Sequence, residues 1–351
     1  MFKPQFTLTN TIVNNLSAIE RLYGLLLGEK IIPSLALRLI QENQILATHH
    51  STSIEGNPLS QIAVSNLILG DRIPVTKSEK EVKNYFSTLN TISTLSKKRE
   101  NINIDLTKRL HEQLLRDIEK VEIGQIRNKG IIVGYRTITK EVIVKHNPPF
   151  HSSVQIIPAL EERFSWLQSE TNIHPLLRAG ILHHQFVYIH PFVDGNGRLA
   201  RILTAYFMLL QNYEVTKYFV LDDYYDIDRQ QYSDMLHSAD NADETIWLEY
   251  FLEGIAYSLQ AALARIGQLK KTSMEEVAGE KRVLVTQREE EVLQFVIEKK
   301  AIKTSDIQEL LGVTRQQAHQ LLASLVKKGI VEKFGTTKAS YYKLIQTTNP
   351  N

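Results

Sequence analysis

Leu199, Ile202, Leu203, Tyr206, Phe207 and Leu210 follow one another at spacings of three, one, three, one and three, directly after Gly195-Asn196-Gly197. Such a stripe lies along one face of an α-helix and commits that face to burial. The two glycines leave the approach to the helix as bare backbone. The chain is therefore constrained twice. Other elements must cover the stripe, and the entry loop must face whatever the free N–H groups at the helix start can bind.

Most of the remaining sequence supplies further helices. Apolar residues at 35, 37, 39, 40 and 46 give Ile31 to Leu46 a roughly helical period, with Pro33 acceptable in a first turn. The stretch His49 to Ser60 breaks that period, punctuated by Gly56, Asn57 and Pro58. Pro158 to Gln168, Pro175 to Ile189 and Gly197 to Asn212 also read as helices, and helical pattern continues to about Leu269. One region differs. Ile131-Ile132-Val133 and Val142-Ile143-Val144 are β-branched runs eight residues apart, closed by Pro148-Pro149, which predicts a hairpin.

At 351 residues the chain exceeds one ordinary domain, and 43% hydrophobic with 23% charged residues is globular composition rather than disorder. It has no cysteine, which excludes disulfide scaffolds, thiolate zinc sites and cysteine nucleophiles. No run reaches the ~18 apolar residues of a bilayer span, and residues 1–6 lack a secretory apolar region. A cytoplasmic protein without a membrane partner is expected. Lys270 to Lys281 is polar and poorly periodic, the best linker candidate. From Lys281 onward there are 12 Lys/Arg against 7 Asp/Glu, whereas the rest of the chain carries 29 against 32. That asymmetry hints at an anionic partner for the C-terminal unit. The expected domains are a helical region at 1–95, a core at 96–269, a linker at 270–281 and a C-terminal unit at 282–345.

The loop entering the striped helix, His190 to Arg201, reads HPFVDGNGRLAR. Gly195, Asn196 and Gly197 let the backbone curl its N–H groups around an anion, and the positive end of the helix dipole reinforces this phosphate cradle. Asp194 is a hard oxygen ligand suited to Mg²⁺ bridging phosphates. Arg198 and Arg201, three apart, reach further phosphate oxygens. His190 is the group here that exchanges a proton near neutral pH. Singly these are a cap, a packed histidine and a solvated face; in this order, within twelve residues, they describe a nucleotide-phosphate site.

The same twelve residues resemble the signature of Fic-domain proteins, HPFx[D/E]GNGRxxR, at every fixed position, and the resemblance extends over roughly Ile31 to Gly254. It implies a mainly α fold, a Fic helical bundle with a β-hairpin flap, that transfers AMP from ATP to Ser, Thr or Tyr hydroxyls of proteins, itself included. On this resemblance His190 is the base, Asp194 holds Mg²⁺, the 195–198 backbone cradles the phosphates, and Arg198 and Arg201 engage the β/γ end. Ser51, Glu55 and Gly56 resemble the family's inhibitory motif, [S/T]xxxE[G/N]. Glu55 is then expected to pair with Arg201 and withhold it from the γ-phosphate; the plainer reading is that Glu55 closes a turn with Gly56 and Asn57.

Arg127, Val133-Gly134 and Pro148-Pro149 resemble the flap pattern, which puts Tyr135 and Arg136 over the nucleotide and docks a target protein along the flap by strand addition. Tyr232 and Asp240 fall where family members line the adenine pocket, although Ser233 and Asp240 depart from the usual tyrosine and asparagine. Other clusters are discounted. His49-His50 and His183-His184 are helix neighbours about 100° apart and grip one ion poorly, His184 and Tyr188 instead meeting packing partners. Asp222, Asp223, Asp226 and Asp228 lack the glycine and terminal Glu of a calcium loop. Tyr218, Phe219, Tyr224 and Tyr225 read as core.

Beyond the linker, Thr286 to Lys299, Thr304 to Leu311 and Thr314 to Lys328 read as helices, with a turn at Gly312-Val313 and β-like runs at Ile330 to Phe334 and Ser340 to Leu344. This resembles a winged helix-turn-helix, with residues 334–342 as the wing. Arg315, Gln316, Gln317 and His319 sit where base edges would be met, and Lys327, Lys328, Lys333 and Lys338 where phosphates would. Such modules also dimerise or dock proteins, so DNA contact through 282–345 and a homodimer both stand open. Two further readings of the whole chain stand beside the transferase: a transcriptional regulator using the fold as an ATP sensor, and an enzyme that moves another group or removes AMP.

Overall fold

The computed structural model describes residues 2–29, 33–70, 72–118, 122–136, 142–214, 219–278, 286–335 and 340–345. They fall into two compact units, one of Met1–Gly28 with Ile40–Ala262 and one of Glu29–Leu39 with Leu263–Asn351. Mainly α architecture holds throughout, and no described helix is long and apolar enough to cross a membrane.

In chain order the elements up to the site are α1 (Asn10–Gly28), α2 (Pro33–Ile54), α3 (Gln61–Leu69), α4 (Lys77–Lys98) and α5 (Ile104–Leu114). Strands β1 (Val133–Arg136) and β2 (Val142–His146) follow, then α6 (Ser153–Ser169), α7 (Pro175–Ile189) and α8 (Asn196–Leu210). After these come α9 (Asp222–Ile227), α10 (Arg229–His237), a 3₁₀ turn (Ser238–Asn241) and α11 (Thr245–Ala278).

Helix α8 lies against α7, α4 and α5. Its stripe residues Leu199, Ile202, Leu203 and Tyr206 are wholly buried, each worth roughly 1.5–3 kcal/mol relative to exposure. Helix α7 is buried on every side, polar residues included, as a central helix must be. Gly180 lets α11 come close: a Cβ there would meet Leu248 at 2.7 Å and Phe251 at 3.0 Å. Its carbonyl also accepts the Trp247 indole N–H at 2.8 Å.

Three sequence expectations shift. Helix α2 does not stop near Leu46 but runs to Ile54. Two of its hydroxyls are satisfied within the helix, Thr48 Oγ1 donating to the Gln44 carbonyl at 2.7 Å and Thr52 Oγ1 to that of Thr48 at 2.8 Å. Buried hydroxyls that bond back one turn do not interrupt a helix; Gly56, at φ 85°, ends it. Helix α6 begins at Ser153 and carries Pro158 inside it. The stretch expected as a linker is helical as far as Ala278, continuing α11, and residues 279–281 lie outside the described residues.

The hairpin pairs β1 with β2 antiparallel, Gly134 opposite Val144 and Arg136 opposite Val142, with an irregularity between Val133 and Gly134. The side chains of Tyr135 and Arg136 lie outside the described residues.

In the second unit, α12 (Gln287–Lys299), α13 (Thr304–Leu311) and α14 (Arg315–Lys327) are followed by the antiparallel strands β3 (Val331–Phe334) and β4 (Tyr341–Leu344). Val292, Val296, Ile307, Leu322, Leu325, Val331 and Tyr342 close a core of their own. Glu289 is buried beneath it, accepting from Lys328 Nζ at 2.6 Å and Ser324 Oγ at 2.5 Å. Lys328, expected to meet phosphate, is thus committed to Glu289. Gln317, expected at a base edge, accepts from the Thr314 N–H at 3.0 Å as part of a capping box. Arg315, Gln316 and His319 are exposed; Lys338, in the expected wing, lies outside the described residues.

Candidate active site

Helix α7 ends on His190, whose φ of 51° is left-handed, an uncommon state for a residue with a Cβ. Arg127 stabilises that ending. Its wholly buried guanidinium donates to the carbonyls of His190 at 2.6 Å, Ile189 at 3.2 Å and Lys129 at 2.7 Å. Its own N–H meets the Pro191 carbonyl at 2.9 Å. A cation on the last carbonyls of a helix is favoured by the dipole. The His190 Nδ1–H donates to the Val187 carbonyl at 3.1 Å, so the neutral ring leaves its lone pair on Nε2. Burial lowers the His190 pKa to about 4 against the opposing pull of the Val187 carbonyl. The ring is therefore an unprotonated acceptor at neutral pH.

From His190 the chain turns through 191–195 into α8. Asn196 clamps this loop, its Oδ1 accepting from the Phe192 N–H at 2.9 Å and its Nδ2 donating to the Phe192 carbonyl at 2.8 Å. Gly195 takes φ 78° and gives α8 no side-chain cap, so the first-turn N–H groups are offered outward. His111 was not singled out from the sequence, yet it fixes the loop from outside. Its Nε2–H donates to the Asp194 carbonyl at 3.0 Å, its Nδ1 accepts from the Gly124 N–H at 2.9 Å, and its ring stacks on Phe192 at 3.8 Å. Burial lowers its pKa to about 4, which keeps that tautomer neutral. Asp194 has a side chain 40% exposed, with Oδ1 accepting from the Gly195 N–H at 2.6 Å. One accessible carboxylate suits Mg²⁺, which takes few protein ligands and fills its shell with phosphate and water.

Both arginines of the loop face carboxylates. Arg201 is nearly sealed: Nη2 reaches Glu55 Oε1 at 2.8 Å and the Ser51 carbonyl at 2.9 Å, Nε reaches Ser51 Oγ at 2.6 Å, and Asp222 Oδ1 lies 3.4 Å from Nε. Burial alone would lower its pKa, but Glu55, Tyr232 and Asp222 outweigh that and hold it above its ordinary value. Burial raises the Asp222 carboxyl to about 6 despite Arg201 beside it. Arg198 lies 3.4 Å from Glu81 Oε1 and 3.3 Å from Asp194 Oδ1, while its Nε is buried without a partner. That orphaned donor, beside an uncapped helix start, fits an anion. Gly197 matters for closeness, since a Cβ there would overlap the Glu55 carboxylate.

Tyr232 and Asp240, expected around the adenine, both have partners within the protein. Tyr232 is buried, its hydroxyl 2.8 Å from His183 Nε2 and its ring stacked on Tyr225. Asp240 gives its carboxylate to His146 at 2.8 Å, His184 at 3.0 Å and His237 at 3.1 Å. Burial opposes its charge, but these three contacts hold the carboxyl far below its usual range. His184 also meets Glu244 at 2.9 Å, which gives it polar partners on both ring nitrogens rather than simple packing. Burial opposes the charged His184 ring, yet Glu244 and Asp240 raise its pKa to about 9.

Glu81, His111 and Asp222 are the site residues that sequence reasoning missed. Glu81 lies in the second turn of α4 and His111 in the last turn of α5, where the local pattern shows only a polar position, and Asp222 stood out only within an acidic run.

Residues 101–208 match the Fic/DOC family, and residues 288–340 match the FaeA-like protein family. The chain is similar to protein adenylyltransferase fic-1 of Caenorhabditis elegans, 28% identical over 263 residues that cover 73% of this chain and 47% of that protein. It is likewise similar to protein adenylyltransferase Fic of Drosophila melanogaster, 29% identical over 171 residues, 47% of this chain and 32% of the other. The chain spans about half the length, or less, of these curated relatives. Among solved structures, a Fic family protein from Desulfovibrio desulfuricans G20 shares the fold, with a TM-score of 0.65, 23% identity and coverage of 99% and 100%. A segment of Fic-1 from C. elegans gives a TM-score of 0.56 at 25% identity, covering 75% of this chain and 72% of that one.

Proposed function

From the match of residues 101–208 to the Fic/DOC family we propose that the protein is a protein adenylyltransferase held in check by its own helix α2. The substrates are ATP and a Ser, Thr or Tyr hydroxyl of a protein, this chain included. His190 Nε2 takes the hydroxyl proton, the hydroxyl oxygen forms a bond to the α-phosphorus, and the bond from that phosphorus to the bridging oxygen breaks. Pyrophosphate leaves, and AMP remains on the target as a phosphodiester. Asp194 is the residue that would hold Mg²⁺, whose chemistry here is to neutralise phosphate charge. The α8 N-terminus and Arg198 position the phosphates and stabilise their charge, which is most of the catalytic task in such a transfer. The target segment lies along the β1–β2 hairpin by strand addition.

The observation that carries the restraint is the 2.8 Å contact between Glu55 Oε1 and Arg201 Nη2 at the start of α8. While it stands, Arg201 Nη2 is committed to Glu55 and the Ser51 carbonyl, and the Glu55 carboxylate adds negative charge where the triphosphate must lie. Incubation with α-labelled ATP and Mg²⁺ tests both parts. Labelled protein should increase about 10–100-fold in Glu55→Gly, the equivalent of one hydrogen bond to a charged group at ~1.5–3 kcal/mol. It should vanish in His190→Ala. Equal labelling of wild type and Glu55→Gly would remove the restraint, and labelling that survives His190→Ala would remove the base.

Exposed Arg315, Gln316 and His319 at the start of α14 support a nucleic-acid contact for the second unit. Binding of duplex DNA that weakens steeply with salt is the expected sign.

A further inference from the structure

Three side chains brought from β2, α10 and the 3₁₀ turn converge beside the site without serving it. His146 Nδ1 lies 2.8 Å and His237 Nδ1 3.1 Å from one and the same oxygen, Asp240 Oδ2. The two imidazoles stack with centroids 5.0 Å apart at 20°, and one ligand atom from each of the three residues falls within 4.8 Å of the others. His146 Nε2 sits 2.9 Å from the Tyr188 carbonyl. A carbonyl only accepts, so Nε2 carries a hydrogen, and Nδ1 is the ring nitrogen turned toward Asp240 Oδ2.

The contacts around these three are those of a built metal site. A ligating histidine characteristically donates its other ring N–H to a carbonyl, as His146 does to Tyr188, and a ligating carboxylate is itself hydrogen-bonded. Asp240 Oδ1, the oxygen the two histidines leave alone, meets His184 Nε2 at 3.0 Å. His184 Nδ1 is braced in turn by Glu244 Oε1 at 2.9 Å, which also accepts from Gln185 Nε2 at 2.8 Å. The side chains of His146, His237 and Asp240 are 3%, 19% and 26% exposed, so the group is anchored on one side and reachable from solvent on the other.

We propose that His146, His237 and Asp240 form a binding site for a divalent first-row transition ion, with Zn²⁺ as the reference ion, that ties flap strand β2 to helix α10. The donors are two imidazoles and one carboxylate, a set that suits Zn²⁺ and its neighbours and disfavours Mg²⁺. Metal–ligand lengths of ~2.0–2.2 Å at tetrahedral angles need donors ~3.3–3.5 Å apart, so the present contacts open by a few tenths of an ångström on loading. A second group, His49, His50 and Asp226, has similar donors among the described residues. There the Arg229 guanidinium pairs with Asp226 Oδ1 at 2.7 Å, while His50 Nδ1 meets the other oxygen, Oδ2, at 2.8 Å. The proposal is independent of the transfer reaction.

The test is calorimetric titration of Zn²⁺, and separately of Mg²⁺, into chelator-treated full-length protein without an affinity tag. Wild type and His50→Ala should each take up one Zn²⁺ tightly, with Mg²⁺ unable to compete. His237→Ala and the isosteric Asp240→Asn should each bind at least about 10-fold more weakly. Zn²⁺ should raise the melting temperature of wild type but not of Asp240→Asn; if His237→Ala fails to fold, Asp240→Asn decides alone. Absence of stoichiometric Zn²⁺ uptake by wild type would overturn the site and leave a hydrogen-bonded histidine–carboxylate cluster. Uptake retained in Asp240→Asn but lost in His50→Ala would overturn it equally, by placing the ion at the other group.

Discussion

The left-handed backbone of His190 and the three carbonyls gripped by Arg127 fix one ring nitrogen toward Val187 and leave the other free. Because burial depresses the pKa of that ring to about 4, its base form is present above that pH and lost below it. The acid limb of the labelling rate should therefore fall well under the ordinary histidine value of about 6.5; a limb centred near 6.5 in a pH–rate profile would contradict the burial. Ser51 shares the hold on Arg201 through its hydroxyl and its carbonyl. Ser51→Ala removes only the hydroxyl, so its labelling should lie between wild type and Glu55→Gly in the same assay. His111→Phe would keep the stack on Phe192 but leave the Asp194 carbonyl and the Gly124 N–H unpaired. Each orphaned buried group costs ~1–3 kcal/mol, so the variant should melt lower and need more Mg²⁺ for labelling, checked by thermal scan and Mg²⁺ titration.

Helix α2 and helix α12 both depend on polar residues that a pattern of apolar spacing ignores. The last turns of α2 persist because their hydroxyls bond back to the helix, which is what carries Ser51 and Glu55 to Arg201. In α12, Glu289 closes a capping box with Thr286 and binds Ser324 and Lys328 of α14 and its end. Burial would raise its pKa, but Lys328, Ser324 and Thr286 bring it down to about 2. The folded value lies below the unfolded value of about 4.3. The stability it contributes is thus complete above that unfolded value and is lost as pH falls from there through the folded one. Glu289→Ala should cost ~1–2 kcal/mol, the scale of a lost cap, since the partly exposed Lys328 can turn to water. Faster amide exchange in α12 and α14 at neutral pH, with the difference from wild type shrinking in acid, is the measurement.

Each compact unit has a core of its own, the one around α7 and α8 and the other around Leu322 and Tyr342. A chain ending at Ala278 retains every residue placed in the proposed transfer. It should label a peptide substrate at close to the full-length rate, and a dead truncation with an intact circular-dichroism spectrum would show that the second unit takes part in catalysis. The excess of basic residues beyond Lys281 remains consistent with an anionic partner, but the most buried of those among the described residues, Lys328, serves the fold.

What the sequence determined by itself is the chemistry that is contiguous along the chain. The cradle of Gly195, Asn196 and Gly197, the flanking Asp194 and His190, the hairpin and the helix order after Thr286 all follow from residues within a few turns of one another, where backbone geometry alone sets the arrangement. The tertiary structure decided which distant partners meet. Glu55 lies 146 positions from Arg201, His111 83 from Asp194 and His146 94 from Asp240. Whether such pairs touch depends on how buried helices pack across one another, and no local spacing encodes that. Asp240 became an anchor for three histidines, and Arg198 a partner of Glu81, because packing delivered those side chains to the same few ångströms.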